Sequence, residues 1–187
     1  MQKHRSTHSI DLPTLDPPGT KRKLHRPFAF TKVRPRYDQV EGYIVAAEPF
    51  DTLPRALIAS RRLAYKPPVM RYAWLAPRDL LLDYARSHKL TRQYGRELSE
   101  FDTMERALGV ISKKCGALIP DTLLELRSTL LGGMERRTLV ISLYTNYDLK
   151  RRDLPSDNAI ELIRKALDLR GSPRWFLDGM DWRWSYW

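Results

Sequence analysis

Apolar and polar positions alternate most regularly over Thr138–Tyr147. Leu139, Ile141 and Leu143 point one way, and Thr138, Val140, Ser142 and Tyr144 the other, which predicts a strand. The clearest helix follows it. Ser156 stands as N-cap after Pro155, and Asp157 suits the positive end of the helix. Ile160, Ile163, Ala166 and Leu167 then recur as a buried stripe, and Gly171 ends it. Earlier in the chain, the apolar run Tyr43–Ala47 predicts a strand ended by Pro49, and Thr52 caps a helix over roughly 53–64. Tyr65–Pro77 reads as a loop or short extended piece fixed by Pro67, Pro68 and Pro77. Pro77 and Asp79 open a helix running to about His88.

Residues 89–101 are polar and read as loop, and Asp102 and Glu105 have the spacing of a capping box. The short helix after them breaks around Gly109–Gly116. Asp121 opens another helix through Leu123, Leu124, Leu126, Leu130 and Leu131, closed by Gly132 and Gly133. The C-terminus, Arg174–Tyr186, has the pattern of a hairpin turning at Asp178-Gly179, with Trp182, Trp184 and Tyr186 on one face. Strands and helices do not alternate regularly, so a doubly wound parallel sheet is not expected. The pattern predicts an α+β fold: one compact domain over 37–187, with a mainly antiparallel sheet packed by helices. Residues 1–36 read as a disordered basic arm. Pro13, Pro17, Pro18, Pro27 and Pro35 break regular structure there, and little apolar surface offsets the ordering entropy.

Charge adds a partner to this picture. The chain of 187 residues has a formal net charge of +11, which self-repels and is best matched by nucleic acid, an acidic lipid leaflet or an acidic protein. Catalytic signatures are missing from it: there is no nucleophile elbow, phosphate loop, zincin helix or EF-hand loop. His4 and His8 have helical spacing but lie in the arm, and His88 ends a helix, where it suits the dipole. Cys115 is the single cysteine, so no intrachain disulfide forms, and no acid or histidine stands beside it to make a nucleophile. The expectation is a protein without catalytic residues, cofactor, metal or small-molecule substrate. The N-terminus has no apolar signal region and no apolar run approaches the roughly 20 residues of a membrane span.

The cations cluster. Lys21, Arg22, Lys23 and Arg26 form a compact knot, extended by Lys32, Arg34 and Arg36; Lys113-Lys114 and Lys150-Arg151-Arg152 form two more groups. Each Lys or Arg near an anionic leaflet adds about 1 kcal/mol, and Phe28 and Phe30 would insert at the interface. On RNA the same residues would neutralise phosphates and bring a steep salt dependence. Leu118 and Ile119, in an apolar tip beyond Lys113-Lys114, are candidates for self-association or for core packing.

The order of these features resembles the matrix proteins of rhabdoviruses. The resemblance rests on three collinear pieces: Pro49-Phe50-Asp51-Thr52 leading into an Ala-rich stretch, the segment Thr138–Tyr144, and Lys165-Ala166-Leu167 followed by Trp175–Asp178. Pro17-Pro18 and Pro67-Pro68 do not form the Pro-Pro-x-Tyr motif of budding, and the Trp-rich tail after Asp178 has no counterpart. The resemblance implies a structural protein of the virion and host cytoplasm, peripheral at the inner membrane face. It implies partners in anionic membrane lipid and in the nucleocapsid or RNA, and a homo-oligomer built through weak contacts. The rival reading is an RNA-binding basic protein, ribosome-associated or a silencing suppressor; an enzyme whose site assembles only in three dimensions is the third.

Overall fold

The computed structural model describes residues 14–45, 47–115, 124–131 and 138–187. In chain order these form α1 (Val40–Ile44), β1 (Tyr65–Lys66), β2 (Met70–Leu75), α2 (Arg78–Ser87), β3 (Arg92–Gln93) and β4 (Arg96–Glu97). There follow α3 (Glu100–Lys114), β5 (Glu125–Thr129), β6 (Thr138–Thr145), α4 (Asp157–Ala166), β7 (Arg174–Leu177) and β8 (Ser185–Tyr186). A four-stranded sheet runs β5-β6-β2-β7, with a β1-β8 pair and a small β3-β4 hairpin beside it. Every pairing between these strands is antiparallel, so the expected α+β architecture with a mainly antiparallel sheet is the one that forms.

The sheet's register stacks its largest residues. Tyr72 faces Tyr144 on one neighbour and Trp175 on the other, and the three rings pack with centroids 5.1 to 5.6 Å apart. Met70, Tyr72 and Trp74 of β2 enter the main core, while Ala73, Val140 and Phe176 form a smaller cluster. Leu130 donates to the Leu177 carbonyl and Gly179 to that of Ser128, so the two outer strands meet at one end. Gly179 is required there, because a Cβ would lie 2.6 Å from Ser128 Oγ.

The helices cover the core through Leu81, Leu82 and Ala85 of α2, Met104, Ala107, Leu108 and Ile111 of α3, and Ala159 and Ile163 of α4. The caps follow the chemistry of short oxygen side chains. Ser156 accepts from Ala159 N at 3.3 Å, as expected. For α3 the cap is Ser99 rather than Asp102: Ser99 Oγ accepts from Asp102 N at 3.1 Å and donates to the Asp102 carboxylate at 2.6 Å. The helix also runs unbroken through Gly109. A mid-helix glycine costs about 1 kcal/mol, and the buried stripe outweighs it.

Several segments differ from the expected pattern. The run expected as a strand at Tyr43–Ala47 ends α1, burying Tyr43 and Ile44; a short apolar run fits either element. The helix expected over 53–64 shrinks to the 3-10 turn Arg55–Leu57, because Leu53 pairs with Leu15 in an isolated parallel bridge. The segment expected as a loop or short extended piece contains β2, a six-residue central strand. The helix expected from Asp121 gives β5 over its described part, its leucine spacing being as compatible with alternation as with a helical stripe. The terminal hairpin does not form. Asp178 Oδ1 accepts from Met180 N at 2.7 Å and Asp181 N at 2.8 Å, and the chain turns away to pair β8 with β1.

The arm's expected boundary at residue 36 also moves. Residues 1–13 lie outside the described residues, but 14–36 lie on the folded body without helix or strand until Tyr37. Asp16 N donates to Leu53 O, and its buried carboxylate accepts from Thr52 Oγ1 at 2.6 Å and Arg22 at 3.0 Å. Leu15 and Phe28 are each 4% exposed and belong to the main core.

Candidate functional site

The basic segment and the aromatic C-terminus come together on one face. Trp184 Nε1 donates to Phe28 O at 3.3 Å, which ties the C-terminal residues to the segment after Arg26. The Phe30 ring lies 4.9 Å from Tyr65 and 5.2 Å from Trp184. Tyr65 and Tyr186, paired across β1 and β8, are 4.8 Å apart. Trp187 donates to Leu63 O at 2.8 Å, and its ring lies 6.4 Å from Tyr147. These contacts leave Phe30 at 50%, Tyr186 at 72% and Trp187 at 47% exposure.

Cations are seated on these rings. Lys32 lies 5.7 Å from the centroid of Tyr65, Lys66 5.5 Å from Trp187, Arg183 5.1 Å from Trp182 and Arg26 5.1 Å from Tyr43. The ring quadrupole holds a cation without neutralising it, so the positive potential persists. Between β1 and residues 180–185 lies a cleft of about 310 Å3, lined by Arg34, Lys66, Arg183, Tyr147, Trp184 and Asp181 among others. Arg34, Lys66 and Arg183 form no ion pair among the described residues.

Tyr147 is a wall of this cleft. Its hydroxyl donates to Pro67 O at 2.6 Å, and burial, with Asp181 adding to it, pushes its pKa from 10.0 up to about 12. A raised acid pKa means that the fold prefers the neutral phenol. The stability this confers is complete below pH 10 and drains away between pH 10 and 12. Titration followed by phenolate absorbance should show tyrosines lagging the exposed ones, Tyr147 together with the buried Tyr72 and Tyr144, and Tyr147→Phe should remove one phenolate from the lagging group. An unchanged titration in the variant would assign the shift elsewhere.

The residues singled out from sequence divide. Lys32, Arg34, Arg26 and Phe30 join the face. Phe28 does not project from it: it is buried in tilted contact with Phe50, centroids 4.6 Å apart, and is unavailable for insertion at an interface. Arg22 is spent on Asp16 and on the Phe50 ring, 5.5 Å away, and Arg36 pairs with Asp38 at 3.0 Å. Lys21 and Lys23 are exposed. Lys113 is exposed in the last turn of α3, and Lys114 sits 5.2 Å from the Tyr84 ring, near His88. His88 itself stacks on Tyr84 at 4.0 Å. Lys150 and Arg152 are exposed in the turn after β6, and Arg151 pairs with Asp153 at 2.7 Å. Burial raises the Cys115 thiol's pKa, which disfavours its thiolate. Leu118 and Ile119 lie outside the described residues. Lys66 and Arg183 were not singled out, because neither belongs to a run of charge. The signal that marks them is alternation with aromatics, Tyr65-Lys66 and Trp182-Arg183-Trp184.

No helix among the described residues is long and apolar enough to cross a membrane. Compared with known protein families, with curated proteins and with solved structures, the chain matches none.

Proposed function

We propose that this chain is a matrix-type structural protein that docks peripherally on an anionic membrane through the face built by residues 26–34, β1, β8 and the C-terminal tryptophans. The observation that supports this is the joining of unneutralised cations to exposed apolar side chains on one surface. Lys32, Arg34, Lys66 and Arg183 supply the charge, and Phe30, Val33, Met180 and Trp187 remain exposed around them. Aromatic rings with a polar edge and basic side chains with long apolar stems both suit the headgroup boundary. Neither charge nor grease alone holds a protein there firmly; the two together do. Condensation of ribonucleoprotein and self-association belong to the same reading, with Lys113, Lys114, Lys150 and Arg152 as further exposed cations for RNA phosphates.

Flotation on vesicles of phosphatidylcholine with and without phosphatidylserine tests the docking. Removing two cations by Lys32→Ser and Lys66→Ser should weaken partitioning by about 2 kcal/mol, roughly thirtyfold, at low salt. Flotation unchanged by the double substitution would overturn the role of this face. The RNA-binding reading draws on the same rings, because bases stack on exposed aromatics beside cations. It predicts tight, salt-sensitive binding of a single-stranded oligoribonucleotide with no partition onto acidic vesicles.

A further inference from the structure

The cleft within this face has a composition that general charge attraction does not need. Three cations, Arg34, Lys66 and Arg183, line one space together with a carboxylate, Asp181, and the rings of Tyr147 and Trp184. A flat, charge-reading surface gains nothing from a carboxylate, which would repel a bare phosphate. A ligand that carries phosphates and hydroxyls together uses both, the phosphates meeting the guanidinium forks and a hydroxyl donating to Asp181. Three cations without ion-pair partners among the described residues call for more than one negative charge. The volume, about 310 Å3, falls at the small end of ligand sites, roughly 300–1,000 Å3.

The rim argues where such a ligand comes from. Met180, at the cleft's edge, is 70% exposed, and Val33, which lines an adjoining crevice with Arg34, Arg183 and Trp184, is 76% exposed. Apolar side chains standing around a cationic hollow suit a headgroup presented from a lipid surface, with the rim residues in the acyl boundary. A free phosphate ester in water would leave that rim wet. We infer that this cleft binds the phosphorylated, hydroxyl-bearing headgroup of a membrane lipid, of the inositol phosphate class. The inference rests on the membrane-docking reading and gives it a selectivity.

The test holds charge constant and varies headgroup chemistry. Vesicles of phosphatidylcholine are doped with phosphatidylserine or with phosphatidylinositol bisphosphate to equal total negative charge. The full chain should bind the second at least about tenfold more tightly, and soluble inositol trisphosphate should compete. The charge-conserving pair Arg34→Lys and Arg183→Lys keeps the net attraction but loses two bidentate forks. It should bring the ratio of the two vesicle affinities down to within about twofold of one, whatever it does to either affinity alone. Equal binding to both vesicles by the parent chain would overturn the cleft while leaving membrane docking intact. So would a preference that survives in the Arg-to-Lys pair. Binding to neither vesicle would overturn docking itself. Competition by a single-stranded oligoribonucleotide but not by inositol trisphosphate would overturn the headgroup in favour of nucleic acid.

Discussion

Asn146→Ala should destabilise the fold by about 3–4 kcal/mol, among the largest effects of any single polar substitution here. Asn146 is 1% exposed and sits one residue past β6. Its Oδ1 accepts from Met70 N at 2.9 Å, and its Nδ2 donates to Leu57 O at 2.6 Å and Pro68 O at 3.0 Å. One side chain thus ties the start of the central strand to the 3-10 turn before it and to the proline pair between them. Alanine would leave a buried N–H and two buried carbonyls without these partners, each costing about 1–3 kcal/mol before relaxation or water entry. In a chain of this size the melting temperature should fall by roughly 10 °C. Asn146→Asp separates polarity from hydrogen bonding: it keeps the acceptor, loses both donors and buries a charge, so it should be at least as damaging. A loss under about 1 kcal/mol for the alanine variant, read from urea unfolding, would mean that water replaces the side chain.

Trp175→Ala should cost a similar amount, about 3–5 kcal/mol. The ring is fully buried between Tyr72 and Tyr144. It also reaches a segment distant in sequence. Its Nε1 donates to Thr14 O at 2.9 Å, and its backbone exchanges hydrogen bonds with Phe50. Removing the ring therefore empties the core and takes away one tie on the segment from Thr14 onward. Trp175→Phe isolates the second effect, since it keeps most of the apolar volume and loses the donor. That variant should lose about 1 kcal/mol globally yet be cut by trypsin at Lys21–Lys23 faster than the parent. Equal cleavage rates would show that the segment's other anchors, Leu15, Asp16 and Phe28 among them, hold it without the indole.

What the sequence made legible was structure with its own local grammar. β6 and α4 were readable because alternation and a serine cap operate within a few residues of each other. α2 was readable from Pro77 and its leucines. Elements defined by distant partners were not. β2 lies between Pro68 and Pro77, and its residues Tyr72, Ala73 and Trp74 are all buried, so it shows no alternation and its flanking prolines look like breakers. β5 and α1 were exchanged in kind, since five apolar positions in a short window satisfy both periods. The segment 14–36 lacks helix and strand, as its prolines predict. That says nothing about burial, because a chain can pack through isolated anchors such as Leu15 and Phe28 without any repeat. The candidate face was half legible for the same reason. Runs of charge pointed to Lys32 and Arg34, but Lys66 and Arg183 acquire meaning only where β1 and β8 bring them to the same cleft.

The pairing of β1 with β8 also fixes when the face comes into being. Tyr65 must wait for Tyr186, and Lys66 for Trp187, across well over half of this sequence. Contacts of such separation form late, after loop closure has been offset by nearer ones. During synthesis, N-terminal elements emerge first, so a nascent chain carries Lys32, Arg34 and Lys66 while Trp182–Trp187, Arg183 included, are still unmade. The cleft is then a property of the folded chain, and the growing one does not possess it.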